Sequence, residues 1–287
     1  MSRKLLFSLV VALVVTTASC AVIDDPHGVV QSLQENHADG AMNDGVLRVM
    51  TLNLAHGRLH AVHQVLIGRR RFETHLDAIA NVFDEENPDL VACQEADGPS
   101  YWSGKFDHVA YLAGETDLTF YVRGEHVGKK NLSYGTALLS RVPLADPVVH
   151  TFDAGGITPN KGFTLATAQM PDGLDVDVVS VHLDFALKKN RKKQVEEMIS
   201  VLERRDLPLI VMGDFNSEWD EGTVEEVVDA LDLNAYRPRT TELPTFKSGG
   251  RRLDWILVSP DFDFADYEVV PDDVSDHKGV YAELTLH

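Results

Sequence analysis

The sequence is poor in cysteine: Cys20 and Cys93 are the only two in 287 residues. A disulfide framework is thereby excluded as the source of stability, and a hydrophobic core must supply it, which a chain of this length can do. Cys93 lies inside an apolar run and reads as a small buried residue. Basic residues are also short, 26 Lys and Arg against 45 Asp and Glu, for a net charge of −19. That balance argues against long, nonspecific nucleic-acid binding, which rests on neutralising phosphates, although a local basic face can act alone. The apolar run from Leu5 to Val15 is too short to cross a bilayer. No internal repeat is visible. With 44% hydrophobic and 25% charged residues, the composition is that of an ordinary folded globular protein.

Arg3 and Lys4 ahead of that apolar run, and Thr16-Thr17-Ala18-Ser19 after it, give residues 1–19 the layout of a secretory signal peptide. Cys20, directly after Ala18-Ser19, resembles a bacterial lipobox, which predicts lipidation of Cys20 and a lipoprotein held in the periplasm or at the cell surface. Thr17 stands where a larger aliphatic residue is usual, so simple secretion stays open. Loss of Arg3 and Lys4 with the leader deepens the net charge to −21. Residues 20–45 are polar and mixed, without a sustained period, which predicts a flexible tether behind the lipidated cysteine. Residues 46–287 read as one domain.

The domain is organised around Val211-Met212-Gly213-Asp214-Phe215-Asn216-Ser217, where the run from Leu209 to Met212 reads as a buried strand ending in polar residues. Asp214 and Asn216 are two apart, so extended backbone points them to one side, where they can hold a hard cation or a phosphate. The same residue types make ordinary strand-end turns, and their company decides between the two. Strand-like runs also end at Asn53, at Gln94-Glu95 and at His182; Asp254 lies in a fifth, and Ser275-Asp276-His277 precedes the last apolar strand.

Period-2 runs predict further strands near Leu118–Val122, Tyr134–Arg141, Val148–Phe152, Phe163–Met170, Val176–Leu183 and Val280–Leu286, with a hairpin-like segment over 262–270. The loops between 134 and 183 are too short for crossover helices, so antiparallel pairing is expected there. Helical spacing covers 72–83, stopped by Asn87-Pro88, then 187–202 and 223–231. Residues 101–131 read as irregular to strand-like. His56, His60 and His63 can share a helix face, as in a zinc site, but Gly57 interrupts the pattern and no carboxylate or cysteine completes the set nearby. They are read as structural. The basic opening of the helix over 187–202 reads as a solvated face from which Lys188 or Arg191 can reach a substrate phosphate. The class is α/β (α+β), with two packed sheets.

As an ordered series, Leu52-Asn53, Gln94-Glu95, Gly135 to Ser140, His182, Gly213 to Asn216, Leu253 to Ile256 and Ser275-Asp276-His277 resemble the endonuclease/exonuclease/phosphatase superfamily. The resemblance implies a deoxyribonuclease I-like four-layer sandwich: two mixed β-sheets flanked by helices, with the strand ends converging at one edge. It implies Glu95 as principal ligand of Mg²⁺ or Mn²⁺, with Asn53 and Asp276 close by. Asp214 and Asn216 are then expected to hold the phosphate, the attacking water or a second metal. His277, oriented by Asp254, is implied as general base, and His182 as a second imidazole that stabilises or protonates the developing oxyanion. Oxygen-rich, thiol-free ligation suits magnesium better than zinc. Ser217-Glu218 and Leu253-Asp254-Trp255 depart from the inositol polyphosphate 5-phosphatase pattern, whereas His182-Leu183-Asp184 is similar to the sphingomyelinase and deoxyribonuclease I branches. The expected activity is metal-dependent hydrolysis of a phosphate ester, a phospholipid headgroup or small phosphodiester first, with DNA or RNA as the alternative partner. A catalytically inactive binding module is the reading from another class.

Overall fold

Most strands of this protein are apolar on both faces, as strands must be when a second sheet covers one side and helices the other. The computed structural model describes residues 28–33, 45–59, 67–129, 131–153, 158–171, 173–271 and 273–287. The leader, Cys20, His60 and His63 lie outside them. One sheet runs in the order β1 (Val30–Ser32), β4 (Phe120–Lys129), β5 (Leu132–Ser140), β3 (Leu90–Asp97), β2 (Val46–Asn53), β13 (Val280–Leu286), β12 (Phe262–Val269). The other runs β10 (Asn234–Ala235), β11 (Asp254–Val258), β9 (Leu209–Asp214), β8 (Asp175–His182), β7 (Gly162–Gln169), β6 (Leu144–Thr151). Helices α1 (Arg69–Glu86) and α2 (His108–Glu115) cover the first sheet, and α3 (Lys188–Leu202) and α4 (Thr223–Leu231) the second.

Three apolar clusters hold the four layers. Val49, Ala92, Leu138, Val178, Met212 and Ile256 lie in the one between the sheets. Met50, Val91 and Cys93 pack under Phe72, Ile79 and Phe83 of α1, while Val179, Val211 and Leu257 pack under Val195, Met198 and Val227. Phe72 and Phe83 are fully buried, each worth about 1.5–3 kcal/mol of apolar transfer. In each sheet a crossover helix joins a parallel pair, β2–α1–β3 and β8–α3–β9, and the remaining pairs are antiparallel. The two parallel pairs send their C-terminal ends to the same edge, where binding sites of open α/β sheets form.

Several expectations change. Val30–Ser32, inside the stretch read as a tether, pairs with β4, because its alternation can extend an open sheet edge. Helix α2 falls where the sequence reads as irregular; its signal is Asp107, whose carboxylate accepts from the Val109 and Ala110 amides as an N-cap. The segment over 262–270 is one strand, bulged between Phe264 and Asp266, whose hairpin partner is β13. After β2 the chain makes a single 3₁₀ turn, Ala55–Gly57, in which Ala55 and His56 take left-handed φ values of 46° and 57°. His56 therefore sits in a turn and not on a helix face.

Candidate active site

The site lies where the intersheet core runs out of apolar residues. On β8, Val178 and Ser180 face inward and His182 follows with the same parity; on β9, Met212 precedes Asp214; on β11, Asp254 precedes Ile256; on β2, Val49 and Thr51 precede Asn53. Register aligns them. His182 is the parallel partner of Asp214, Asp214 the antiparallel partner of Asp254, and Asn53 lies beside Gln94. Beneath them a polar layer of Thr51, Gln94 and Ser180 is internally hydrogen-bonded, with Gln94 Nε2 donating to Ser180 Oγ at 3.1 Å.

Asp214 is the hub. Its Oδ1 accepts from the Asn216 amide at 2.8 Å, and its Oδ2 accepts from Asn53 Nδ2 at 3.1 Å. The same Oδ2 lies 3.4 Å from His182 Nε2 and 3.8 Å from His277 Nε2. Burial, reinforced by the neighbouring Asp254 charge, pushes the Asp214 carboxyl above its usual range although His277 opposes it. Asn216 adopts φ 48°, and its Nδ2 donates to the Leu183 carbonyl, pinning the turn after β9 to the end of β8.

His277 is bound from behind. Asp254 Oδ2 sits 2.8 Å from His277 Nδ1 and also accepts from Thr245 Oγ1 at 2.6 Å. Ser275 Oγ donates to the Asn53 carbonyl, which ties the Ser-Asp-His turn to the end of β2. Burial disfavours the imidazolium, but the Asp254 and Asp214 carboxylates outweigh it and raise His277 above the ordinary histidine value. Asp276 takes a different partner: its Oδ2 accepts from Arg58 at 2.6 Å.

Glu95 reaches the site through a bulge. Alternation along β3 would send it to the helix face with Val91 and Cys93, but the register slips between Gln94 and Ala96, and Glu95 adopts φ 51°. Burial works against its charge, yet His56, Lys161, His277 and Arg58 together hold the carboxyl below its ordinary value. Sequence reasoning missed most of these neighbours. His56, read as structural, places Nε2 3.3 Å from Glu95 Oε2 and Nδ1 2.7 Å from Asp97 Oδ1. Lys161, 7% exposed, places Nζ 2.8 Å from His182 Nε2. Burial and then Lys161 keep His182 well below the usual histidine range, hence neutral. Arg191 is corrected from a substrate contact: it is buried and bound to Glu221 and the Asp184 carbonyl. No spacing signal marks Lys161 or Asp97; the order Asn53, His56 on one strand exit was the only hint for His56.

Donor chemistry here suits a hard divalent cation. Glu95 offers a carboxylate held ionised, Asn53 Oδ1 accepts from the Ala55 amide and retains a lone pair, and Asp97 Oδ2 and Asp254 Oδ1 are buried with no hydrogen-bond partner among the described residues. Asp214, Asp254 and His277 bring three further ligand atoms within 4.8 Å of one another. In that trio His277 Nδ1 is committed to Asp254, which leaves the Glu95 side as the freer cradle.

The profile of the endonuclease/exonuclease/phosphatase family matches residues 50–277. No curated protein matches the sequence significantly. Among solved structures, a family protein of Beutenbergia cavernae is similar at 22% identity and TM-score 0.66, over 84% of this chain and 72% of that one. A mannosyl-6-phosphatase of Bacteroides thetaiotaomicron is similar at 18% and 0.65, over 84% and 100%. The catalytic domain of human Nocturnin, with a bound sulfate anion, is similar at 19% and 0.62, over 90% and 97%. These likenesses carry the fold: two mixed sheets flanked by helices. Enzymes of the matched family generally depend on a divalent metal. The chain belongs to the endonuclease/exonuclease/phosphatase family and is a hydrolase of phosphate esters.

Proposed function

We propose that this protein is an exported phosphodiesterase in which Glu95 holds Mg²⁺ or Mn²⁺ and His277, oriented by Asp254, is the general base. The observation that carries the reading is the buried His277–Asp254 pair, 2.8 Å apart, set beside a carboxylate ringed by His56, Lys161, His277 and Arg58. A phosphodiester anion repels an incoming nucleophile, so hydrolysis needs positive charge at the phosphoryl oxygens and removal of a proton from water. A divalent ion at Glu95 supplies Lewis acidity there. His277 Nε2, with Nδ1 held by Asp254, takes the water proton. Asp214 stabilises the resulting imidazolium from 3.8 Å.

Developing oxyanion charge falls to Lys161. Its ammonium stands 2.8 Å from His182 Nε2, so neutral His182 positions a cation and does not itself carry the proton. Of the two roles expected for His182, protonation does not fit this environment, and stabilisation is exerted through the lysine that it holds. Asn53, Asn216 and Asp276 hold the surrounding turns and, with Asp214, border the place of the phosphate and its counter-ion.

A phospholipid headgroup is the favoured substrate. Phe185 is 59% exposed, its ring 6.0 Å from Lys161 Nζ, and exposed Leu187, Lys188, Lys189, Lys192 and Lys193 continue from it onto α3. An apolar tip followed by lysines is suited to a bilayer surface, and it sets a local basic face against the chain's net charge of −19. With the leader and Cys20, this supports a lipoprotein acting outside the cytoplasm. Among the described residues no helix is long and apolar enough to cross a membrane. The test is hydrolysis of bis(p-nitrophenyl) phosphate and p-nitrophenyl phosphate with Mg²⁺, with Mn²⁺ and with chelator, then of phospholipid vesicles against duplex DNA. Metal-dependent release from the diester and the vesicle, lost in Glu95→Ala, is the expected result. Faster degradation of DNA establishes a nuclease instead, and silence on all four leaves a binding module.

A further inference from the structure

His56 reads as structural in the sequence, yet the fold aims it at Glu95. Its Nδ1 lies 2.7 Å from Asp97 Oδ1, and Asp97 is fully buried with its other oxygen unpartnered among the described residues. A carboxylate at Nδ1 fixes the ring so that Nδ1–H donates and the Nε2 lone pair faces outward. That lone pair meets Glu95 Oε2 at 3.3 Å. Two acceptors cannot face each other at this distance unless a cation joins them, and the candidates are a proton or a metal ion.

Burial disfavours the imidazolium, but the Glu95 and Asp97 carboxylates outweigh it and raise His56 above the ordinary histidine value, so without an ion a proton joins the pair. A divalent cation held by Glu95 competes with that proton for the Nε2 lone pair. The backbone marks the pair as a clamp: His56 at φ 57° and Glu95 at φ 51° are both in the left-handed region that costs a side-chain-bearing residue energy, and such strain collects at ligand clamps. The imidazole is also fixed edge-on by Tyr134, with ring centroids 4.7 Å apart, and by Trp102 at 6.2 Å.

Resting on the reading of Glu95 as a metal ligand, we propose that His56 Nε2 is a second protein ligand of the same ion, with Asp97 as the carboxylate that orients it. The site is then a mixed nitrogen and oxygen one. An imidazole ligand favours transition ions, so Mn²⁺ binds in preference to Mg²⁺ beyond what carboxylates alone would give.

The experiment is pulsed electron paramagnetic resonance on the full protein loaded with Mn²⁺, paired with calorimetric titration of Mn²⁺ and Mg²⁺ into wild type, His56→Asn, Asp97→Asn and His277→Gln. Asn tolerates the left-handed φ, so His56→Asn is the substitution that spares the turn, and circular dichroism checks its fold. The expected result is a directly coordinated ¹⁴N coupling in wild type and His277→Gln that disappears in His56→Asn. Mn²⁺ affinity is expected to fall at least about tenfold in His56→Asn and about 10–100-fold in Asp97→Asn, with a smaller change for Mg²⁺. Absence of the coupling in wild type, or its survival in His56→Asn, overturns the proposal. Because these readouts need no turnover, a protein that binds Mn²⁺ through His56 yet hydrolyses nothing refutes the enzymatic reading alone. An active diesterase without the coupling refutes this one alone.

Discussion

Two histidine–carboxylate pairs flank Glu95, and they were made in different ways. His277–Asp254 joins a turn to a neighbouring strand of the second sheet, with Thr245 capping the carboxylate and Asp214 facing the free ring nitrogen. His56–Asp97 lies wholly at the exit of the first sheet, one partner in a strained turn after β2 and the other two residues beyond the bulge in β3. The free nitrogen of His277 looks onto Asp214, and that of His56 onto Glu95. One arrangement suits moving a proton, the other suits holding a cation. The same two side-chain types acquire different chemistry from the third group they face.

Removing each member tests that contrast. His277→Ala is expected to lower turnover of a diester by about 10²–10⁴-fold, the usual contribution of a general base, while calorimetric Mn²⁺ affinity stays near wild type. A comparable loss of metal affinity would collapse the distinction between the pairs. Asp254→Asn keeps the ring but not its tautomer, for an expected loss of about 10²–10³-fold. Its pH profile is sharper evidence. Asp254 raises His277, so the acid limb of kcat/KM lies above the ordinary histidine value in wild type and moves to lower pH in Asp254→Asn. An unmoved limb assigns it to another group.

Asp97→Asn is expected to lose turnover at low metal, with a shift of about 10–100-fold in the metal concentration needed, and to recover as metal is raised. Asp254→Asn should not recover. The smallest effect is on stability. A histidine whose folded-state pKa is raised contributes fully below about pH 6.5, and that contribution drains as pH rises through the raised value. Melting temperature between pH 6.5 and 9 is therefore expected to fall more steeply in wild type than in His277→Ala, by about 2–4 °C for each kcal/mol involved. Parallel curves would show that His277 is not the group responsible.

Much of this could be read from the chain. Asp214, Asp254, His182 and Asn53 announce themselves because each is the polar residue at the end of an apolar inward-facing row, and period-2 alternation is a local property of sequence. His277 is visible through its neighbours Ser275 and Asp276. Helix α4 begins and ends where its spacing says, at Thr223 and Leu231. Helix α2 is not visible, because its apolar face is short and its cap, Asp107, looks like any loop aspartate. Lys161 enters from β7's leading edge, in a segment with no motif, and matters only because β7 pairs with β8 and delivers it to His182.

From sequence alone come the strand ends, the two crossover helices, the family and the carboxylate-rich character of the site. These follow from apolar periodicity and from residue types whose chemistry is carried in single side chains. Only the tertiary structure decided that Glu95 turns inward, that His56 faces it, and that Asp97, Lys161 and Arg58 complete the charge around them. Each of those outcomes depends on a bulge, a left-handed turn or a pairing between distant strands. Such events are settled by the fit of one sheet against another, and no local pattern encodes them.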